Sequence, residues 1–226
     1  MTTLRGWKVE ASKLSKQRGA VLVAKRLVDI VGAVLLLAVT APLLLITAVA
    51  VKLDTAGPVL FRATRIGQGG RPFTMFKFRS MAANADQSLH VKFIKNLLQN
   101  GDAQSRSENW YKLENDPRIT RVGRVIRRWS IDELPQLFNV VKGDMSLVGP
   151  RPEVPYAVEE YEAWQWQRFD VLPGMTGLWQ ISGRGELSPI EMLRLDVAYV
   201  NGYSLWLDLK LLAKTLGAVA MRIGSR

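Results

Sequence analysis

The longest feature in the hydrophobic pattern is an apolar run from Ile30 to Val51, which holds no charged residue over 22 positions. A helix of that length extends about 33 Å, close to the thickness of the hydrocarbon core of a bilayer. Pro42 lies near its middle, where it removes a helix hydrogen bond and bends the axis. The run predicts a membrane-inserted helix, with a long buried core helix as the alternative.

Basic side chains flank this run at both ends. Residues 1–26 hold seven Lys and Arg against a single acid, Glu10. The chain from Lys52 to Arg79 holds one acid, Asp54, against six basic residues: Lys52, Arg62, Arg65, Arg71, Lys77 and Arg79. Positive charge marks the cytoplasmic side of a membrane segment, so we expect both ends at one face. The pattern favours a re-entrant helix that turns back at Ala41-Pro42; a single span with two basic flanks is the alternative.

The remaining pattern predicts short strands and amphipathic helices. Val59–Ile66 and Phe73–Phe78 form a hairpin around the glycines at 67–70, and helices are expected within 82–110, 134–141, 154–169, 189–200 and 204–221. Three prolines in 147–155 and the glycine-rich stretch 173–185 predict irregular structure. The predicted fold class is α+β, mostly helical: a re-entrant membrane helix, a small β-hairpin and interfacial amphipathic helices. The predicted divisions are a basic segment (1–24), the membrane helix (25–52) and a catalytic domain (53–226).

Composition narrows the chemistry. The chain has 226 residues and a net charge of +11, so it calls for an anionic partner such as a phosphorylated substrate or anionic lipid. Nucleic acid is not favoured, because no recognised binding motif is present and the apolar run would be unexplained. No cysteine and one histidine, His90, exclude disulfides, thiolate nucleophiles and multi-histidine metal sites. Any catalysis would then rest on carboxylates, Arg and Lys.

The densest chemical cluster is the stretch from Arg127 to Leu137, where Asp132 and Glu133 follow two arginines and precede a short apolar helix. One interpretation is a capping box, with Ser130 as N-cap and Glu133 reaching back to it. Pro135 argues against this, because it removes an amide from the first turn. The other interpretation is an active site in which an ionised Asp attacks phosphorus and its neighbour binds Mg²⁺ or acts as a base.

Two further stretches suit phosphate binding. Arg151 lies between Pro150 and Pro152, which hold it on a rigid turn; a surface arginine without a role is the alternative. The glycines between 173 and 185 could present backbone amides to phosphates, but neither a Walker A loop nor a dinucleotide fingerprint is present.

In their order along the chain, these pieces resemble the monotopic phosphoglycosyl transferases, the bacterial sugar transferase family. The matching stretches run from Lys25 to Asp29, from Gly57 to Phe61, from Phe76 to Met81, from Asp116 to Thr120, from Asp132 to Leu137, from Lys142 to Pro152, and at Leu195-Asp196 with Tyr199. The chain departs from the family at the helix break, where Ala41-Pro42 replaces a frequent Ser-Pro.

The resemblance implies transfer of a sugar 1-phosphate from a UDP-sugar to undecaprenyl phosphate, with release of UMP, at the cytoplasmic face of a bacterial inner membrane. It implies that Asp132 is the nucleophile of a covalent phosphosugar intermediate, that Glu133 assists it, and that Mg²⁺ binds at Asp132 and Glu133. It places five more residues at the phosphate and nucleotide site: Lys77, Arg127, Arg151, Arg184 and Asp196. A non-catalytic basic membrane scaffold is the alternative function, and a homo-oligomer is left open.

Overall fold

Helix α1 (Lys16–Asp54) is 39 residues long and continues through Ala41 and Pro42. The computed structural model describes residues 16–82, 118–182 and 187–220; the helix predicted within 82–110 and Arg184 lie outside this part of the chain. Pro42 has no amide hydrogen, so the Ala38 carbonyl lacks its usual helical donor. The Thr40 hydroxyl does not replace that donor, because it donates to the Leu36 carbonyl at 2.6 Å. Reversal of the chain at Pro42 stays a prediction.

Helix α1 buries one narrow stripe and exposes the rest of its surface. Five residues on the stripe are at most 9% exposed: Lys25, Asp29, Ala33, Thr47 and Val51. Large apolar side chains elsewhere are open, with Val39 78% and Leu53 82% exposed. Only 11% of the most apolar 18-residue stretch of the helix is buried, whereas the core helix of a soluble protein is mostly buried. The alternative of a buried core helix is therefore wrong for α1.

Two strands follow α1 and form the predicted hairpin. Strand β1 (Leu60–Ile66) pairs antiparallel with β2 (Pro72–Phe78), and Phe61 lies opposite Lys77. The turn between them needs glycine, since Gly69 and Gly70 have φ of 66° and 71°. The predicted hairpin is confirmed, with its boundaries shifted by one residue.

Beyond the hairpin come two short helices and a second, parallel pair of strands. Helix α2 (Arg121–Arg128) is capped by the Thr120 hydroxyl, and α3 (Gln136–Lys142) ends at Gly143 with φ of 101°. Strand β3 (Ser146–Val148) pairs with β4 (Gly174–Thr176). The prediction of irregular structure there was wrong, because three-residue strands show no alternation. The close approach beside them needs glycine: a Cβ on Gly174 would lie 2.0 Å from the Gly149 nitrogen.

The C-terminal part of the described chain is helical. Helix α4 (Pro155–Val158) and a 3-10 helix (Ala163–Asp170) replace the single helix predicted over 154–169, because Glu162 and Gln165 form a capping box that starts a new segment. Three helices complete the fold: α5 (Leu178–Ile181), α6 (Pro189–Asn201) and α7 (Leu205–Ala220). The last two agree with the prediction.

The N-terminal half of α1 is fixed to the domain by its charged residues. The Lys25 ammonium donates to Asp208 at 2.7 Å, in a pair almost closed to solvent. Arg26 donates to the Val140 carbonyl at 2.7 Å and to that of Val141 at 3.0 Å, so it caps the C-terminus of α3. The carboxylate of Asp29 accepts from the Leu147 amide at 3.0 Å.

The C-terminal end of α1 is fixed to the same domain. Arg79, which follows β2, donates to the carbonyls of Thr55 at 2.7 Å and Ala56 at 2.6 Å. Asp54 accepts from the Val122 amide at 3.0 Å. Both ends of the apolar segment therefore lie against one body.

Candidate active site

A strained turn between α2 and α3 carries the two central carboxylates. Asp132 and Glu133 belong to a 3-10 helix (Ile131–Glu133). Ser130, just before it, has φ of 55°, which among the described residues is the one positive φ outside glycine. Such strain persists only where surrounding structure imposes it, and it is concentrated at functional sites. The distorted helix start expected from Pro135 is present.

Glu133 accepts from two cations rather than closing a capping box. Ser130 makes no side-chain cap, so the capping-box interpretation is wrong. The Glu133 Oε1 atom accepts from Lys77 Nζ at 2.9 Å and from Arg151 Nη2 at 2.8 Å. Burial alone would raise the pKa of Glu133, but these two cations hold it well below its usual range. Glu133 is thus ionised and fixes the positions of Lys77 and Arg151.

The pKa of Asp132 is shifted in the direction opposite to that of Glu133. Burial and the charge of Glu133 raise the pKa of Asp132, against the opposing pull of Lys77, Arg127 and Arg151. No hydrogen bond or ion pair occupies this carboxylate within residues 16–82, 118–182 and 187–220. A carboxylate with uncommitted lone pairs and a raised pKa is a better nucleophile than one held in an ion pair.

Arg151 is positioned by the backbone around it. Pro150 and Pro152 are both buried. The Pro150 carbonyl accepts from the Gly174 amide at 2.8 Å, and the Arg151 carbonyl accepts from Arg168 Nη2 at 2.7 Å. The rigid turn expected from the two prolines is therefore reinforced by hydrogen bonds at successive carbonyls.

A buried ionic network supports Arg151 from behind. Arg168, whose side chain is 3% exposed, donates to Glu153 Oε2 at 2.8 Å, to Asp196 Oδ2 at 2.7 Å and to the Tyr161 hydroxyl. Burial raises the pKa of Asp196 to about 7, although Arg168 opposes the shift. The structure thus places Asp196 in this support, hydrogen-bonded to Arg168, which in turn holds the Arg151 carbonyl.

The network contains residues that the sequence analysis missed. Arg168, Glu153 and Tyr161 were not singled out, and only the position of Glu153 two residues after Arg151 gave a signal. The glycine-rich stretch also has a different role where it is described. The Gly174 amide donates to the Pro150 carbonyl at 2.8 Å, so it is not available to a phosphate, and the Thr176 carbonyl accepts from the Gly149 amide at 2.9 Å.

The acidic pair suits Mg²⁺ in the way this ion is usually held. No group of three or more acidic or histidine side chains that could enclose a metal occurs within the described ranges. Mg²⁺ commonly takes only one or two carboxylates, with substrate phosphates and water as the remaining ligands. Asp132 and the second oxygen of Glu133 fit that mode. Arg127, on the last turn of α2, acts electrostatically on Asp132 and lowers its pKa.

Comparison with known proteins shows what the chain resembles. A family model described as bacterial sugar transferase matches residues 20–222. The exopolysaccharide production protein ExoY of Rhizobium meliloti is 41% identical over 202 residues, covering 89% of this chain and 88% of that protein. The UDP-glucose:undecaprenyl-phosphate glucose-1-phosphate transferase of Caulobacter vibrioides is 43% identical over 211 residues, covering 88% and 70%.

Other relatives are much longer than this chain. The undecaprenyl-phosphate galactose phosphotransferase of Salmonella typhimurium is 44% identical over 202 residues, which cover 89% of this chain and 41% of that protein. The chain therefore spans less than half the length of several curated relatives that it matches.

Proposed function

The chain belongs to the bacterial sugar transferase family, and on that basis we propose that it transfers a sugar 1-phosphate from a UDP-sugar to undecaprenyl phosphate and releases UMP. The printed names of several relatives describe this reaction or its lipid acceptor. The observation that carries the proposal is the position of the Asp132 carboxylate: it lies beside Lys77, Arg127 and Arg151, and no other described residue holds it in a hydrogen bond or ion pair. Phosphoryl transfer depends chiefly on positioning and on neutralising charge, and this arrangement offers both.

The proposed reaction has two displacements at one phosphorus. An Asp132 oxygen forms a bond to the phosphorus that carries the sugar, and the bond from that phosphorus to the bridging oxygen breaks. UMP leaves with the bridging oxygen and its electron pair. An oxygen of undecaprenyl phosphate then bonds to the same phosphorus, and the bond to Asp132 breaks. Sugar diphosphate-linked lipid leaves, and the carboxylate is regenerated.

The surrounding side chains have separate roles in this scheme. Lys77, Arg127 and Arg151 offset the charge of the diphosphate, and Glu133 keeps two of them in place through its ion pairs. Arg184 stays a prediction for the nucleotide site, and Asp196 supports Arg151 through Arg168. Mg²⁺ at Asp132 and Glu133 would supply further charge neutralisation at the phosphates.

The proposal includes a membrane location at the cytoplasmic face, with α1 entering one leaflet and not crossing. Its support is that both ends of the apolar segment are fixed to one domain, through Asp29 and through Arg79. Because the chain has no cysteine, single cysteines at Ala20 and Ala56 can be labelled cleanly with an impermeant maleimide in whole cells and inverted vesicles. Labelling of both positions only in inverted vesicles supports the proposal; opposite sidedness would show a spanning helix.

The reaction itself is tested without the lipid acceptor. Purified protein mixed with UDP-sugar and Mg²⁺ should release about one UMP per active site in a burst, because the covalent step precedes lipid binding. Asp132→Asn should abolish the burst while the protein still folds. Glu159→Gln, which changes an exposed acid at the end of α4, is the matched control and should retain it. A wild type that turns over with lipid but shows no burst indicates direct transfer, and one with no UMP release at all indicates the scaffold alternative.

A further inference from the structure

An apolar groove runs between α1, the hairpin and the start of α3, and the reaction proposed above does not use it. Its volume is about 340 Å³. Its lining is apolar and comes from all three elements; it includes Ala48, Val59, Leu60, Phe78, Pro135 and Phe138. A second hollow of about 300 Å³ shares Ala48 and Val59 with it and continues along α1 to Lys52 and Leu53.

The inner end of the groove adjoins the candidate active site. Pro135 follows Glu133 by two residues, so their Cα atoms are at most about 7 Å apart. Phe78 belongs to an apolar cluster against which Ile131 packs, and Ile131 directly precedes Asp132. The apolar side chains of the groove therefore lie next to the turn that carries the acidic pair, in position to receive the first carbon atoms of a molecule whose phosphate is bound there.

The outer end opens onto the exposed apolar surface of α1. Leu45 and Ile46, next to the groove wall, are 68% and 66% exposed, and Leu53 beside the second hollow is 82% exposed. Phe138, on the opposite wall, is 51% exposed although it is a large apolar side chain. The groove thus connects a charged phosphate site with the surface that the proposal assigns to lipid.

We propose that this groove holds the first isoprene units of the polyprenyl phosphate acceptor, with the phosphate at Asp132 and the rest of the tail leaving along α1. The inference rests on the proposed function and names where its lipid substrate binds. A hydrocarbon chain ending in a phosphate matches both features, since apolar walls favour the chain and Lys77 and Arg127 favour the anion. The acyl chain of an ordinary phospholipid is the competing occupant.

The test fills the groove and compares the two half-reactions. Ala48→Phe places a ring in the groove, and Ala38→Phe places the same ring on the exposed side of α1 as the matched control. We expect Ala48→Phe to raise KM for undecaprenyl phosphate at least tenfold while the UMP burst without lipid changes less than twofold. Ala38→Phe should leave both within twofold. Phe138→Ala, which removes a wall, should raise the same KM, whereas Val141→Ala on the same helix should not.

Acceptor length separates the outcomes. Wild type should use acceptors with several isoprene units far better than a phosphate ester with one unit, and Ala48→Phe should reduce that preference. Equal behaviour of Ala48→Phe and Ala38→Phe overturns the inference while the proposed function stands. An equal loss with every acceptor length assigns the groove to a bulk lipid chain and also overturns it. Absence of UMP release from the wild type overturns the proposed function, and this inference with it.

Discussion

Replacing Arg168 should destabilise the protein strongly, because this guanidinium neutralises a buried network. Its side chain is 3% exposed and pairs with Asp196, which is 1% exposed, and with Glu153. Removing one partner of a buried ion pair costs about 3–5 kcal/mol. We therefore expect Arg168→Gln to lose about 3–5 kcal/mol of the free energy of unfolding, a large share of the 5–15 kcal/mol typical of a domain.

The same geometry predicts that the effects of Arg168 and Asp196 are coupled. Asp196→Asn keeps an oxygen that can accept from Arg168, while Glu153 still balances the charge, so it should cost only about 1–2 kcal/mol. In Arg168→Gln, however, Asp196 is left as a buried acid without its ion-pair partner. Adding Asp196→Asn to that variant removes this acid, so the double variant should be more stable than the sum of the single effects by about 1–3 kcal/mol.

The assay is urea unfolding in detergent, followed by tryptophan fluorescence, because Trp164 and Trp166 lie on the same 3-10 helix as Arg168. The slope of the transition should stay the same, so that the midpoints report stability. Strictly additive effects, or an Arg168→Gln variant within about 0.5 kcal/mol of wild type, would refute the account of this network.

Three other predictions concern the site and its support. Because the pKa of Glu133 is held well below its usual value, its ion pairs stabilise the fold fully above about pH 4.5 and are lost as the pH falls further. The thermal midpoint of wild type should therefore drop more steeply below that pH than the midpoint of Glu133→Gln. Equal slopes of midpoint against pH would contradict this. A Cβ on Gly123 would lie 2.1 Å from the Ser80 carbonyl oxygen, so Gly123→Ala should lower the free energy of unfolding by about 1–3 kcal/mol. A Cβ on Gly19 would meet nothing within 4 Å, so Gly19→Ala should not destabilise the protein. Urea unfolding midpoints measure both effects. Lys77→Gln should lower kcat for UMP release about 100-fold, because it removes a cation at the phosphates. The control Arg62→Gln, on the exposed hairpin surface, should stay within twofold of wild type. Similar kcat values for the two variants would show that Lys77 is not part of the site.

The long helix and the hairpin could be predicted because their signals lie in consecutive residues. The apolar run and the strand alternation around Gly67–Gly70 are properties of consecutive residues, and α1 and the hairpin agree with them. Local clusters likewise gave Asp132, Glu133 and Arg151 as candidates, and the structure brings Lys77 and Arg127, which the resemblance added, to the same place. In each case, the signal lay within a few residues of the feature.

Contacts between distant residues explain what the sequence did not reveal. Glu133 fits a capping box in the sequence, but its true partner, Lys77, lies 56 residues away. Arg168 and Asp196 are 28 residues apart and belong to different helices, so no spacing rule connects them. The parallel pair β3 and β4 is likewise too short to show a pattern and is formed by chain packing.

Covalent bonding of the sugar phosphate to Asp132 is the central claim, and intact-protein mass spectrometry tests it directly. The protein is mixed with its UDP-sugar and Mg²⁺ in the absence of lipid, quenched and weighed. The account predicts a mass increase of one sugar phosphate that is carried by the peptide containing Asp132, disappears when undecaprenyl phosphate is added, and is absent in Asp132→Asn. An unmodified protein under conditions in which the complete reaction forms product would contradict it.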